Sequence, residues 1–162
     1  MSVTVQGVDA RASLIGWANG LLAMISADVK AIPADKWTAT FGGCTRAANE
    51  LTADALGLLY WCAAALKGTA DSDYAGQPGL AEACADQEVA VAKLAEATGA
   101  FCAALAEASD EALNTVITPP WQMPAPLFII AQIAVSHVWY HDGQLNYIQC
   151  LLGDDKIHWM DG

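Results

Sequence analysis

Residues 127–152 read LFIIAQIAVSHVWYHDGQLNYIQCLL. Ile130, Ala134, His137, His141, Leu145, Ile148 and Leu152 each fall three or four positions after the last, the period of a helix that turns one stripe toward a core. Gly153 closes the stretch, as expected of the residue just past a helix end. No apolar-polar alternation of the strand type competes with this reading here or elsewhere in the chain.

Working back from this helix, residues 109–126 hold Pro119, Pro120, Pro124 and Pro126, an irregular passage expected to lay Trp121 and Met123 across a bundle. Before it, Leu80, Cys84, Val91, Leu94, Phe101 and Leu105 predict a third helix running to about Ala108, with Pro78 in its first turn. The segment 68–79, GTADSDYAGQPG, reads as loop. A second helix is expected over 45–67. The first is expected from an Asp9 N-cap to about Ala31, with Leu14, Trp17, Leu21 and Ile25 inward and Pro33 stopping it. Between these two, Pro33, Trp37 and Gly42-Gly43 suggest a loop over a bundle end. With no internal repeat and no linker, residues 1–162 form one all-α domain, a four-helix bundle with two longer connections.

The totals agree with a helical core. The 33 alanines among 162 residues raise the apolar fraction to 55% while favouring helix and close packing. The longest strongly apolar run, 127–135, is far short of the ~20 residues of a membrane-spanning helix, so no span is expected. The first ten residues carry Asp9 and no Lys or Arg, which argues against a secretory signal and for the cytoplasm. A net charge of −11 repels phosphate backbones and weighs against nucleic-acid binding. Five cysteines without a CxxC pair make neither a disulfide framework nor a zinc knuckle. Cys62, Cys84 and Cys102 read as small core residues, and Cys44, beside two glycines, as the one whose reactivity is worth testing.

Chemistry concentrates on the last helix. His137 and His141 are spaced i, i+4 and lie in its apolar stripe, an arrangement that offers two imidazoles to one transition-metal ion. The pair also serves as hydrogen-bonded core or subunit-interface residues in other helices, so a third ligand decides. The second helix supplies one: its stripe Leu51, Asp54, Leu58, Cys62, Ala65 carries a carboxylate where an apolar side chain belongs. A buried carboxylate is costly unless paired, and a cation shared with two neutral imidazoles compensates it. An ion pair with Arg11 or Arg46 does the same without metal. Two His and one Asp leave coordination positions open and suit zinc, nickel or iron better than calcium. Glu50, Asn49 and His158 rank below Asp54 as ligands; Gln144 and Tyr147 are candidates to orient a ligand, and Trp139, Tyr140 and Trp159 read as packing aromatics.

The segment HVWYHDGQLNYI, residues 137–148, resembles the last bundle helix of the DinB-like superfamily, where H-x-x-x-H is followed closely by G-Q and an apolar stretch. ELTADALGLLYWCAAALKG, residues 50–68, is similar to the family segment that carries the first metal ligand, with Asp54 at the position usually held by His. The resemblance implies an up-up-down-down bundle, a homodimer, and a divalent metal held by Asp54, His137 and His141. It also implies chemistry of the class seen in thiol-dependent transferases and isomerases that use a low-molecular-weight thiol, and an open metal position equally suits activation of water for hydrolysis. The alternative is a non-catalytic bundle that binds a small apolar ligand or a partner helix through a degenerate site.

Overall fold

The computed structural model describes residues 9–71 and 79–160. Among them are six helices, four of them long: α1 (Ala10–Ala31), α2 (Ala48–Leu66), α3 (Leu80–Ala83), α4 (Gln87–Glu107), α5 (Asp110–Asn114) and α6 (Leu127–Leu151). A two-residue antiparallel pair, β1 (Val116–Ile117) and β2 (Ala125–Pro126), closes the passage before α6, and a 3-10 turn (His158–Met160) follows it against α1. The expectations for the middle of the 68–79 loop and for Pro78 lie outside the described residues.

α1 and α2 each pack against both α4 and α6. The core is drawn from all four long helices, with Leu21, Ile25, Leu56, Leu94, Phe101 and Ile130 all but inaccessible. Each such side chain contributes roughly 1.5–3 kcal/mol relative to exposure. α2 is the helix most enclosed by its neighbours, with fourteen of its nineteen residues buried, and Gly57, Cys62 and its alanines leave room for close approach. On so enclosed a helix, an acid can persist only at the margin or with a partner.

The ends follow from local chemistry. Asp9 caps α1 by accepting from the Arg11 and Ala12 amides, as its position implied. α6 ends at Gly153, whose φ of 87° is left-handed; its amide reaches the Cys150 carbonyl while that of Asp154 reaches Gln149, the Schellman arrangement.

Four expectations are corrected. The third helix is not continuous: the chain breaks after Ala83, and Asp86 starts α4 by accepting from the Glu88 and Val89 amides. The break is fastened, since Trp37 Nε1 donates to the freed Cys84 carbonyl at 2.7 Å and Gln87 Nε2 donates to the Val29 and Ile32 carbonyls at the end of α1. Trp17 is not a core residue; it sits at the surface edge-on to Trp139, and Ala18 takes the inward place. Met123 projects outward, and only Trp121 leans back, onto Trp61. The passage expected to be irregular contains α5 and the β1–β2 pair. In addition, α1 and α4 are long enough and apolar enough in composition to cross a membrane, which a search for unbroken apolar runs overlooks. Alanine-rich helices of a packed bundle reach the same values, so this observation weighs little.

Candidate metal centre

α2 and α6 pack side by side, and Asp54 on the first faces His137 and His141 on the second. The His141 Nε2 atom lies 3.1 Å from His137 Nε2 and 3.3 Å from Asp54 Oδ2, and His137 Nε2 lies 3.8 Å from Asp54 Oδ1. Three ligands about 2.0–2.2 Å from one ion at tetrahedral angles stand about 3.3–3.6 Å apart, so these separations match a shared ion with little adjustment. His141 is almost fully buried, whereas Asp54 and His137 are each a little over one quarter exposed along their side chains, so the group opens on one side.

Protonation favours ligation. Burial, reinforced by His137, pushes the His141 pKa down to about 4, against the pull of Gln144 and Asp54. Burial likewise lowers that of His137, with Asp54 opposing. Both rings are therefore neutral near pH 7, the state that binds metal. Burial alone would raise the Asp54 pKa, but the Arg46 hydrogen bond and the adjacent imidazoles outweigh it and hold the carboxyl below its usual range.

Around the three sits a supporting layer. His141 Nδ1 is 2.7 Å from Gln144 Oε1, whose amide nitrogen donates to the Tyr140 hydroxyl. An amide oxygen only accepts, so in this orientation Nδ1 carries the proton and Nε2 turns a lone pair toward Asp54. Lone pair against carboxylate at 3.3 Å is repulsive unless a cation or a proton mediates; a His137 Nε2 proton directed at His141 Nε2 across 3.1 Å relieves part of this, and an ion among the three groups would relieve the rest. One cation is already near: Arg46 Nη1 pairs with Asp54 Oδ2 at 2.7 Å and Nη2 donates to the Glu50 carbonyl at 2.8 Å.

The remaining candidates are engaged elsewhere. Glu50 accepts from the Ala47 amide, Asn49 donates to the Ala81 carbonyl, and His158 pairs with Asp154 at 2.8 Å. Arg11, the other partner weighed for Asp54, pairs with Asp110. Tyr140 is more than a packing residue, since its ring lies over His137 and its oxygen holds Gln144. Trp139 and Trp159 are half-exposed, and Tyr147 borders a cavity described below. Cys62 and Cys84 are buried, with burial raising the Cys62 pKa to about 12; Cys102 is only partly buried, and Cys44 and Cys150 are exposed.

A second polar group escaped the sequence reading. Asp28 of α1 and Asp142 of α6 are buried together, with Asn146 Nδ2 donating to Asp28 Oδ2 and Gln149 Nε2 donating to the Asp28 carbonyl. Burial and the neighbouring Asp28 charge push the Asp142 pKa up to about 8. A signal existed: Asp28 follows Leu21 and Ile25 in the α1 stripe, and Asp142, Asn146 and Gln149 recur at i, i+4, i+7.

A cavity of about 270 Å³ reaches Asp54 from the side of Arg46, Glu50 and Gly79–Ala81. A larger one, about 510 Å³, lies between the start of α1 and α5 and shares no residue with the triad. The fold and site together define a helical protein with an Asp-His-His group able to hold a metal ion. No family model matches the chain, and no curated protein does.

Proposed function

We propose that the chain is a divalent-metal-dependent enzyme of the DinB-like kind, with Asp54, His137 and His141 as the ligands of a zinc, nickel or iron ion. The observation that carries this is the convergence of two neutral imidazole nitrogens and one ionised carboxylate within 4.8 Å of one another. The placing of α1 and α2 each beside both α4 and α6 fits an up-up-down-down arrangement, although three connections, 32–47, 67–86 and 108–126, are long where two were expected.

A divalent ion held there supplies Lewis acidity, lowering the pKa of a small thiol or of water and making either a nucleophile near neutral pH. The chain's own groups do the rest. Gln144 fixes the His141 ring and its tautomer, and Tyr140 fixes Gln144. The apolar stripe of α6 around His141 excludes water from the inner side, and the cavity at Asp54 leaves the outer side open to a substrate. We favour thiol transfer or hydrolysis as the reaction class.

The Arg46–Asp54 ion pair favours a second reading, in which arginine has replaced the ion and the bundle is a non-catalytic binder with a degenerate site. Metal analysis separates the two. Protein purified without a nickel column and reconstituted with zinc retains about one equivalent if the centre is intact, whereas less than about a tenth overturns the proposal. Asp54→His adds a discriminating arm: a native chain that fails to bind while this variant binds tightly identifies a degenerate site.

A further inference from the structure

Arg46 also lines a second cavity, of about 210 Å³. Its walls are mostly apolar, made by Phe41, Leu51, Tyr147, Ile148 and Leu151, while Arg46 and Gln144 border it. These two residues also touch the triad, one through Asp54 and the other through His141. The cavity is thus a direct neighbour of the candidate metal centre. A dry cavity of about 150 Å³ accepts benzene, so this one has room for a ring and a few further atoms.

Arg46 is the one cation that lines either flanking cavity, among the described residues. The oxygen it holds, Asp54 Oδ2, is the same atom that faces His141 Nε2. A dication shared by Asp54 and the two imidazoles takes up that oxygen's charge and repels the guanidinium. Arg46 stays tethered through Nη2 to the Glu50 carbonyl, which leaves Nη1 to find another anion. Glu50 offers none, because its carboxylate caps the start of α2. In a chain of net charge −11, Arg46 is the positive charge that the lining of these two cavities offers to a small anion, among the described residues.

We infer that the 210 Å³ cavity is a subsite for a small carboxylate with an apolar or aromatic body, and that Arg46 reads its charge once Asp54 engages a divalent ion. The inference rests on the metal reading above, and it makes metal and carboxylate binding mutually reinforcing. Arg46 is a specificity-determining residue in this scheme, and the metal keeps its open positions for the nucleophile.

Phenylacetate and its uncharged counterpart phenylacetamide are the probes, and alkylation of Cys44, whose side chain also lines this cavity, is the readout. Exposed Cys150 is outside the cavity and serves as the internal control when modified peptides are resolved by mass. With zinc bound, phenylacetate is expected to protect Cys44 at concentrations about tenfold or more below those of the amide, the size of one charge-assisted hydrogen bond. With a chelator present the two should protect alike. Arg46→Met should keep zinc, since Asp54 is freed, yet lose the preference; Arg46→Lys should keep part of it and covers the case in which the Met variant misfolds. Zinc binding without a preference overturns this inference alone. So does a preference that survives in Arg46→Met, which places the carboxylate on the metal, or one that persists under chelation. Failure to take up zinc overturns the metal reading and this inference together.

Discussion

Gln144 makes no hydrogen bond to Asp54, yet its amide oxygen accepts from Nδ1 of His141 and so decides which nitrogen faces Asp54 and His137. Gln144→Ala is expected to weaken zinc binding by about 10–100-fold, as loss of a ligand-orienting partner does elsewhere, while Gln144→Glu should strengthen it; competition with a chromophoric chelator measures both. Asp142, the next residue after His141, makes a different prediction. Its raised pKa means that the folded chain keeps a proton which the unfolded chain releases above about 4, so its contribution is full at low pH and fades as pH climbs to about 8. His141 acts in the opposite sense: with a folded pKa of about 4 against 6.5, its contribution is present above 6.5 and fades as pH falls toward 4. The two oppose each other in acid, and the interval from 6.5 to about 8 isolates Asp142. In chelator, urea midpoints of the native chain should fall across that interval and those of Asp142→Asn should stay flat; an equal slope in both would remove the acid pair as the cause. Asp54 was legible as a carboxylate interrupting an apolar stripe. Asp28 carries the same mark, but it lacks a histidine pair opposite to draw attention to it.

The long helices were legible because their apolar period is regular and their stops are chemical: Asp9 and Gly153 act as read, and the α2 and α6 bounds shift by a few residues only. What the period could not show is the interruption at 84–86. Cys84 and Leu80 continue the apolar spacing across it, so the pattern looks unbroken, while the break is made by side chains distant in sequence. Trp37, 47 residues away, and the Val29 and Ile32 carbonyls, more than fifty away, supply partners for groups that a continuous helix would have used or hidden. Trp17 was misread for a related reason, since a large aromatic at a stripe position can slide off the core onto another exposed ring when Ala18 suits the close α1 contact better. The start of α4 rests on Asp86 alone for two amides. Asp86→Ala should therefore cost about 0.5–2 kcal/mol in chemical denaturation, and Asp86→Ser should recover most of it; a neutral Asp86→Ala would show that the packing of Gln87 and Trp37 holds the break without a cap.

At the scale of the molecule, the three candidate ligands join chain positions 83 and more residues apart, since 137 minus 54 is 83, and they tie the most enclosed helix to the last one. An ion there stabilises the native chain by RT ln(1 + [L]/Kd), about 2.7 kcal/mol at a hundredfold excess over Kd. Any salt also acts on a chain of net charge −11, because screening relieves self-repulsion within a Debye length of about 10 Å at 0.1 M. These effects differ in form. Screening grows smoothly with ionic strength and does not distinguish cations of one valence, whereas a built site saturates and selects by ligand chemistry. Magnesium prefers oxygen ligands and sheds water reluctantly, so two imidazoles and one carboxylate suit it poorly. At matched ionic strength, zinc should raise the unfolding midpoint with saturation near one equivalent, and magnesium should leave only the small common rise. In Asp54→Asn, with the carboxylate charge removed, the zinc curve should collapse onto the magnesium curve. A zinc effect undiminished in that variant would mean that the ion binds elsewhere on this acidic surface.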